Sequence, residues 1–322
     1  MKLKIAVLSG GNSSEAEISI NSGKQVVNWL DKEKFDVYPI IIMGTRWTLD
    51  DEDGLKIDRT DFSVIKNGEK IKFDYALIIV HGTPGENGLM SGYFELLGIP
   101  HSTCNTLVSS LTFNKYFCKL ALREINLLMA KAILVKRDQK ITPEEIVKAV
   151  GLPCFIKPNA GGSSCGTSKV KLIEEIPAAL EFAFKEDDEI IIEEFIKGTE
   201  ISNGVLKTKK KTFILPVTEI VPKNEFFDYE AKYSPGMSEE ITPARIPDFV
   251  RDECHKLSLA VYEFLGCKGL VRVDYIVRDN KLYFLEINTI PGMSEASIVP
   301  KQVKAYGIAM KDLLTCIIED SF

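Results

Sequence analysis

Apolar positions repeat with two different periods over the first hundred residues. An apolar run from Leu3 to Leu8 ends at a pair of glycines, and apolar residues at helical spacing follow between Glu15 and Leu30. Further apolar runs at residues 35–43 and 73–80 indicate strands. Because strands that alternate with helices are typical of a parallel sheet, we expect an N-terminal parallel α/β domain over residues 1–104.

The middle of the chain predicts a smaller unit of α+β type, which we place at residues 105–192. Its apolar segments are shorter, and one strand ends at Pro158 before a glycine-rich stretch. The predicted elements are a helix at 107–124, a strand at 132–135, a helix at 143–150, strands at 152–158 and 168–172, a helix at 173–184 and a strand at 190–195.

The rest of the chain predicts a third domain over residues 193–322. Several strands follow Glu200, and after them come an irregular loop at 224–241, a helix at 247–265, a strand hairpin and one closing helix. The fold class that we expect is therefore α/β and α+β, arranged in three domains.

The C-terminal hairpin carries polar side chains where a buried sheet normally has apolar ones. Successive strand side chains point to opposite faces, so Arg272 and Asp274 share one face, and so do Glu286 and Asn288. The turn at residues 278–280 can bring the two pairs together. Buried charges need partners, and carboxylate and amide oxygens suit Mg²⁺. The hairpin therefore predicts a magnesium-nucleotide site with an arginine beside it.

A glycine-rich loop at residues 159–166 joins two predicted strands and follows Lys157. Glycine allows a close backbone approach, and exposed N–H groups in such a loop can bind phosphate. A plain hairpin loop is the alternative, and the acidic hairpin favours the nucleotide. The predicted strand at residues 190–195 and the following Glu200 are candidates for purine and ribose contacts, although Glu193 and Glu194 also suit a solvated strand end.

Two loops of the N-terminal domain are candidates for ligand binding. At the first, Asn12 with Glu15 or Ser14 with Glu17 fits a helix capping box. One box leaves the other glutamate unexplained, and that carboxylate could bind an ammonium group. The second loop begins at His81 after a predicted strand, which is where open α/β sheets bind ligands. A single histidine is also compatible with a structural role.

Composition and charge exclude several function classes. The chain has 322 residues and a net charge of −6, which argues against a nucleic-acid binder with its basic patch. Apolar runs fall short of the roughly 18 residues of a membrane span, and the first strand begins at once, so we expect no membrane segment and no signal peptide. Seven cysteines without C-x-x-C spacing indicate reduced thiols in a cytoplasmic protein, with no zinc site and no disulfides.

In this order, the segments resemble the D-alanine–D-alanine ligases of the ATP-grasp superfamily, from about Lys4 to Leu314. Each motif is weak alone, but six in the correct order are specific. They are Gly10-Gly11-x-Ser13-x-Glu15, His81-Gly82-x-x-Gly85-Glu86, Lys157-Pro158-Asn159 with Gly162-Ser163-Ser164-x-Gly166, Tyr229-Glu230-Ala231-Lys232-Tyr233, Arg272-x-Asp274, and Glu286-x-Asn288-Thr289-x-Pro291-Gly292-Met293.

The resemblance implies a three-domain ATP-grasp architecture, with ATP between the central and C-terminal domains. It also implies roles for matching residues. The phosphate contacts are Lys115, Lys157 and Lys232, and the adenine and ribose contacts are Glu193 and Glu200. The ligands of two Mg²⁺ ions, for which Mn²⁺ can substitute, are Asp274, Glu286 and Asn288. The D-alanine contacts are Glu15 for the first ammonium, His81, and Ser297 for the second carboxylate.

The implied reaction forms D-alanyl-D-alanine for peptidoglycan synthesis. ATP phosphorylates the first D-alanine, and the amine of the second attacks the acyl phosphate. Arg272 and the backbone N–H of Gly292 are implied to stabilise the oxyanion. Ser163 and Tyr233 are implied to form a network with Glu15, and residues 224–241 a lid that excludes water. A homodimer is implied by the resemblance alone.

Three alternatives remain at the level of the sequence. A resistance-type ligase would take D-lactate or D-serine as second substrate, although Tyr233 resembles the dipeptide-forming type. A dinucleotide-dependent oxidoreductase would use the N-terminal strand–glycine–helix, but G-x-G-x-x-G is missing and the acidic hairpin stays unexplained. A nucleotide-binding protein without catalysis would not need the Arg272 and Asp274 set.

Overall fold

The computed structural model describes residues 2–13, 15–162, 164–222 and 238–322. Ser163, Lys232, Tyr233 and most of the predicted lid therefore lie outside the described residues. Within these ranges, no helix is both long and apolar enough to cross a membrane.

The N-terminal region folds around a sheet in which β1 pairs in parallel with β2 and β6. Residues 5–8 of β1 are fully buried, as expected for a parallel sheet covered on both faces. This confirms the predicted N-terminal α/β fold. Its elements are β1 (Leu3–Gly10), α1 (Ala16–Trp29), β2 (Phe35–Met43), β3 (Arg46–Leu49), β4 (Ser63–Lys66), β5 (Glu69–Lys72), β6 (Tyr75–Ile78) and α2 (Leu89–Leu97).

Where one long helix was predicted at 107–124, the chain forms two: α3 (Thr106–Phe113) and α4 (Lys115–Leu122). Asn114 interrupts the helix because it is the N-cap of α4, with its side chain accepting a hydrogen bond from the Phe117 N–H. The break places Lys115 at the first turn of the second helix.

The middle region forms an antiparallel sheet in the order β10-β9-β11-β8, with two helices packed against it. The predicted α+β unit is confirmed, with slightly shorter elements at its end. They are β7 (Leu128–Met129), β8 (Ala132–Lys136), α5 (Pro143–Val150), β9 (Cys154–Pro158), β10 (Ser168–Val170), α6 (Ile176–Ala183) and β11 (Glu189–Glu194).

The third region builds a seven-stranded sheet along the path β15-β14-β12-β16-β17-β7, with β13 beside β12. Two predictions were wrong. Residues 238–241 form strand β15, because they pair with β14, and Gly307 divides the closing helix in two. The elements are β12 (Thr199–Lys207), β13 (Thr212–Ile214), β14 (Thr218–Pro222), β15 (Ser238–Ile241), α7 (Asp248–Leu265), β16 (Leu270–Arg278), β17 (Lys281–Asn288), α8 (Ile298–Tyr306) and α9 (Met310–Glu319).

The last two helices return to the first sheet. Val303 of α8 and Leu313 of α9 share a buried cluster with Ile5 and Val7 of β1. In the same way β7, from the middle of the chain, pairs with β17 of the third sheet. The division at residues 104 and 192 stays a prediction, and the second boundary falls within β11.

Candidate active site

The hairpin of β16 and β17 brings the four polar side chains together as predicted. Arg272 pairs with Asn288 and Asp274 with Glu286 in the strand register. The turn residues Asp279 and Asn280 have φ of 50° and 59°, which suits the tight turns of two-residue hairpins. All four side chains line the same cavity of about 340 Å³, which we call the smaller cavity.

Asp274 is buried and fully engaged by its neighbours. Its carboxylate accepts hydrogen bonds from Arg272, at 2.8 Å for Nη2 to Oδ2, and from the Ser202 hydroxyl at 2.6 Å. Burial lowers the pKa of Arg272, but the Asp274 carboxylate raises it. The net result is a pKa above the ordinary value. The arginine therefore stays cationic beside the acidic strands.

The oxygens of Asp274, Glu286 and Asn288 fit a magnesium ion by their chemistry, since Mg²⁺ prefers hard oxygen ligands and usually keeps several waters. No group of three or more His, Cys, Asp and Glu side chains in the described ranges could hold a metal. The predicted ligand set would therefore combine the two carboxylates with the amide oxygen of Asn288. The Lys115 Nζ lies 4.0 Å from the Glu286 carboxylate, so Glu286 also has a cation nearby.

A larger cavity of about 700 Å³ adjoins the smaller one. It lies between the middle sheet, with Lys157 on β9 and Glu193 on β11, and the third sheet, with Ile220 on β14 and Glu286 on β17. Its volume is in the usual range of ligand pockets. The residues that line both cavities are Lys115, Gly161, Gly162, Glu200, Ile220 and Glu286.

Glu193 is the centre of a buried ion-pair cluster in the larger cavity. Its two carboxylate oxygens lie 2.7 Å from Lys119 Nζ and 2.5 Å from Lys157 Nζ. Burial raises the pKa of Glu193, but Lys119 and Lys157 outweigh it and lower the pKa to about 2. The solvated-strand-end alternative is thus wrong for Glu193. Glu194 is partly exposed, with its carboxylate 3.9 Å from Lys131.

Lys119 was missed in the sequence. The available signal was its spacing, because Lys115 and Lys119 are four residues apart and so share one face of α4. Burial lowers the pKa of Lys157, but the carboxylates of Glu193, Glu286 and Glu200 together outweigh it, so the net shift is upward and Lys157 is cationic. Three lysines, at 115, 119 and 157, therefore converge on this cavity.

The glycine-rich loop runs from β9 to β10, with a strand on each side as predicted. Lys115 Nζ donates to the Gly161 carbonyl at 2.5 Å, and the Asn159 side chain donates to Asn114 at 2.9 Å. These bonds tie the loop to the first turn of α4. A Cβ placed on Gly162 would lie only 2.5 Å from Glu15 Oε2, so the loop needs glycine there to approach this carboxylate.

Glu15 precedes α1 and lines the smaller cavity. The predicted capping box of Asn12 with Glu15 was wrong. The side chain of Glu15, at the N-cap position, makes no capping hydrogen bond, and Asn12 accepts a hydrogen bond from the Gly44 N–H instead. The alternative box includes Ser14, which lies outside the described residues. The buried Glu15 side chain therefore lines the smaller cavity and does not act as a helix cap.

His81 is buried at the edge of the smaller cavity. Its Nδ1 lies 3.0 Å from the Ile290 carbonyl, and its Nε2 lies 3.3 Å from the Ser22 hydroxyl. Burial lowers the pKa of His81, only partly offset by Glu15, so the ring is neutral at physiological pH. These contacts favour a positioning role for the ring, and its contact with substrate stays a prediction.

Gly292 and Ser297 also line the smaller cavity. Ser297 is the N-cap residue of α8, and its hydroxyl is 2.8 Å from that of Ser294. A Cβ on Gly292 would lie 2.8 Å from Ser297 Oγ, so the two residues approach closely. The structure brings every described candidate to one of the two cavities, and the role of each stays a prediction.

Comparison with known proteins decides the family. The family models for the D-ala D-ala ligase N-terminus and C-terminus match residues 4–104 and 120–319. The chain belongs to the D-alanine–D-alanine ligase family. It is 50% identical to the D-alanine–D-alanine ligase of Phocaeicola vulgatus over the full length of both chains. It is 49% identical to that of Flavobacterium johnsoniae over 98% of each chain.

Solved structures agree with this assignment. The VanG D-Ala:D-Ser ligase from Enterococcus faecalis superposes with a TM-score of 0.89 at 32% identity, over 100% of both chains. A D-alanine–D-alanine ligase from Bacillus anthracis, complexed with ATP, gives a TM-score of 0.78 at 32% identity, over 99% of this chain and 96% of that one. The three-domain ATP-grasp expectation therefore holds at the level of the fold.

Proposed function

We propose that this protein joins two D-alanine molecules into D-alanyl-D-alanine for peptidoglycan synthesis, with ATP converted to ADP and phosphate. The observation that carries the proposal is the pair of adjoining cavities. A nucleotide-sized cavity opens at Lys115 and Glu286 onto a smaller acidic one, so a phosphoryl donor and a small acceptor can meet at that border.

ATP occupies the larger cavity in this proposal. Lys115 and Lys157 contact its phosphates together with Lys232, and Glu193 and Glu200 form the wall for adenine and ribose. The ATP complex of the Bacillus anthracis relative supports this use of the cavity. The ammonium groups of Lys115 and Lys157 line this cavity, so they favour the binding of a negatively charged phosphate there.

Asp274, Glu286 and Asn288 would hold magnesium, and we propose two ions. Bound Mg²⁺ offsets phosphate charge during phosphoryl transfer. The residues of this chain contribute the rest: Lys115 beside Glu286 marks where the transferred group lies, and Arg272 stays cationic against Asp274.

The two D-alanines occupy the smaller cavity. Glu15 binds the ammonium of the first, with His81 in the wall beside it, and Ser297 binds the carboxylate of the second. The carboxylate of the first D-alanine attacks the γ-phosphate of ATP, so that ADP leaves and D-alanyl phosphate forms. The second amine then attacks the acyl carbon, and phosphate leaves.

The oxyanion of that tetrahedral intermediate needs donors, which Arg272 and the Gly292 N–H supply. Both line the smaller cavity. The Ser163 and Tyr233 side chains complete the proposed network with Glu15, and the lid excludes water from the acyl phosphate.

Product analysis tests the proposed function. Incubation with ATP, Mg²⁺ and D-alanine should give D-alanyl-D-alanine, ADP and phosphate in equal amounts by mass spectrometry and phosphate assay. Glu286→Gln should lower turnover at least about 100-fold, because it removes a charged ligand of the magnesium that would offset the phosphate charge. The matched control Glu263→Gln, at an exposed site, should retain it. No ADP formation with any D-amino acid would refute the proposal.

A second candidate function keeps the chemistry and takes D-serine as second substrate. The superposition on the VanG D-Ala:D-Ser ligase favours it, whereas the 44–50% identical relatives with D-alanine–D-alanine ligase names favour D-alanine. Competition between D-alanine, D-serine and D-lactate in the same assay decides between them. A dominant mixed product would move the assignment to the second candidate.

We also propose a cytoplasmic homodimer. All seven cysteines are free thiols, which suits a reducing compartment. The dimer rests on the family resemblance alone. Analytical ultracentrifugation at micromolar concentration should give about twice the 36.0 kDa chain mass, and a single 36.0 kDa species would refute the dimer.

A further inference from the structure

The smaller cavity contains an acidic side chain to which the proposed chemistry gives no role. Glu86 follows His81 in the loop after β6 and is buried. Its Oε2 accepts a hydrogen bond from the Gly82 N–H at 2.7 Å, and its own N–H donates to the Gly82 carbonyl at 2.8 Å. This reciprocal pair closes the loop and fixes the carboxyl group at the cavity wall.

Glu15 also lies close to Gly82. A Cβ placed on Gly82 would lie 3.2 Å from Glu15 Oε2, so two buried carboxyl groups flank Gly82, which has φ +63° and cannot easily be replaced. Like charges this close in a buried site resist double ionisation.

The charge balance of the cavity strengthens this repulsion. Among the described lining residues, the permanently cationic ones are Lys115, from α4, and Arg272, from β16, and His81 is neutral. The carboxyl groups that line the cavity are Glu15, Glu86, Glu200, Glu240, Asp274 and Glu286. The Asp274 carboxylate already holds Arg272. An empty cavity of this composition favours a bound proton.

Burial is the largest influence on Glu86, and the Glu15 charge adds to it, so the pKa of Glu86 rises to about 8. The Gly82 hydrogen bond, Lys115 and Arg272 lower the pKa by less. At neutral pH the carboxyl group therefore keeps its proton in the ligand-free protein.

We propose that Glu86 is a positioning residue that gives up a proton to solvent when the first D-alanine binds beside Glu15. The ammonium group offsets the Glu15 charge and so removes the repulsive part of the upward pKa shift of Glu86, which adds to the larger part caused by burial. The ionised Glu86 then holds the Gly82 N–H in a stronger, charge-assisted hydrogen bond and adds negative charge around the ammonium. This inference rests on the proposed function, because it places an amino-acid ammonium at Glu15.

Isothermal titration calorimetry tests the proposal on the full chain. D-alanine is titrated into protein with Mg²⁺ and the β,γ-imido analogue of ATP, at pH 7.5, in phosphate, HEPES and Tris buffers of different ionisation enthalpy. The slope of the observed binding enthalpy against the ionisation enthalpy of the buffer gives the number of protons released on binding. A group with a pKa of about 8 is about three-quarters protonated at this pH, so up to that fraction of a proton should be released.

Glu86→Gln is the decisive variant, because the amide oxygen still accepts from Gly82 but has no proton to lose. Its proton release should fall close to zero. Glu17→Gln removes the same charge from an exposed site on α1 outside the cavity and should match the unmodified protein. The KM for D-alanine should also fall by up to tenfold per unit as pH rises toward 8 in the unmodified protein, and stay flat in Glu86→Gln.

The outcomes separate the two claims. D-alanine binding and turnover with no proton release, or with equal release in Glu86→Gln, would overturn the role of Glu86 and leave the ligase function intact. No binding of D-alanine and no ADP formation would overturn the function itself, and this inference with it.

Discussion

At the scale of single residues, the site is a set of buried charges whose states depend on their neighbours. Glu193 is anionic because two ammonium groups face it, whereas Glu86 keeps a proton because it is buried and the Glu15 charge adds to the effect of burial. Glu193 lies near the end of β11 and Glu86 lies in the loop after β6, and the neighbouring residues in the sequence do not show the charge state of either. Their opposite pKa shifts come from side chains far away in the chain, such as Lys119 for Glu193.

Glu193→Gln tests the ion-pair cluster. Removing this charge leaves Lys119 and Lys157 buried without compensation, so the free energy of unfolding should fall by about 3 kcal/mol in urea titrations at pH 7. Glu189→Gln, on the same strand but half-exposed against Lys136, should change it by under about 1 kcal/mol.

The difference between Glu193→Gln and the unmodified protein should depend on pH. The pKa of Glu193 is about 2 in the folded state and 4.5 ordinarily, so the stabilisation is complete above pH 4.5 and is lost as the pH falls toward 2. The gap should therefore narrow between pH 7 and pH 3. An equal gap at both pH values would show that Glu193 stabilises the fold by packing alone.

At the scale of elements, the helix break at Asn114 and the glycines at 161 and 162 bring the glycine-rich loop close to α4 and to Glu15 before α1. Asn114 ends one helix and caps the next, and so aims Lys115 at the loop. The pattern of apolar positions continues through the break, which is why a single helix was predicted. The hairpin was predicted well, because its register follows from the turn and from strand alternation.

Gly162→Ala tests the close approach of the loop to Glu15. The added methyl would lie 2.5 Å from the Glu15 carboxylate, so the loop or Glu15 must shift, and kcat/KM for D-alanine should fall about 10- to 100-fold. The neighbouring Gly161→Ala is a matched control, because its Cβ would have its nearest contact at 3.7 Å, with Pro158. Equal effects of the two variants at unchanged Tm would contradict this geometry.

At the scale of the molecule, the two ends of the chain form one core. Val303 and Leu313 of the last two helices pack with Ile5 and Val7 of the first strand. The same cluster includes Leu270, so this packing connects the N-terminal sheet with β16, the strand that carries Arg272 and Asp274. The smaller cavity, which takes residues from α1, the loop after β6 and β16, therefore depends on that core for its shape.

Leu313→Ala tests this long-range packing. A fully buried leucine shortened to alanine should lower the free energy of unfolding by about 3 kcal/mol, with a lower Tm in thermal unfolding. Leu96→Ala, at a side chain that is 89% exposed, should change it by less than about 0.5 kcal/mol. A small loss at Leu313 would mean that α9 contributes little to the core.

The sequence by itself determined the local features of this protein. Strand and helix periods, the hairpin register and the glycine-rich loop follow from side-chain spacing and backbone freedom, which act over a few residues. The six ordered motifs added the family. Tertiary structure alone decided that Lys119 faces Glu193, that Glu15 and Glu86 flank Gly82, and that α9 packs on β1. These contacts join residues distant in the chain, and the charge and burial that set their chemistry exist only once the sheets have packed together.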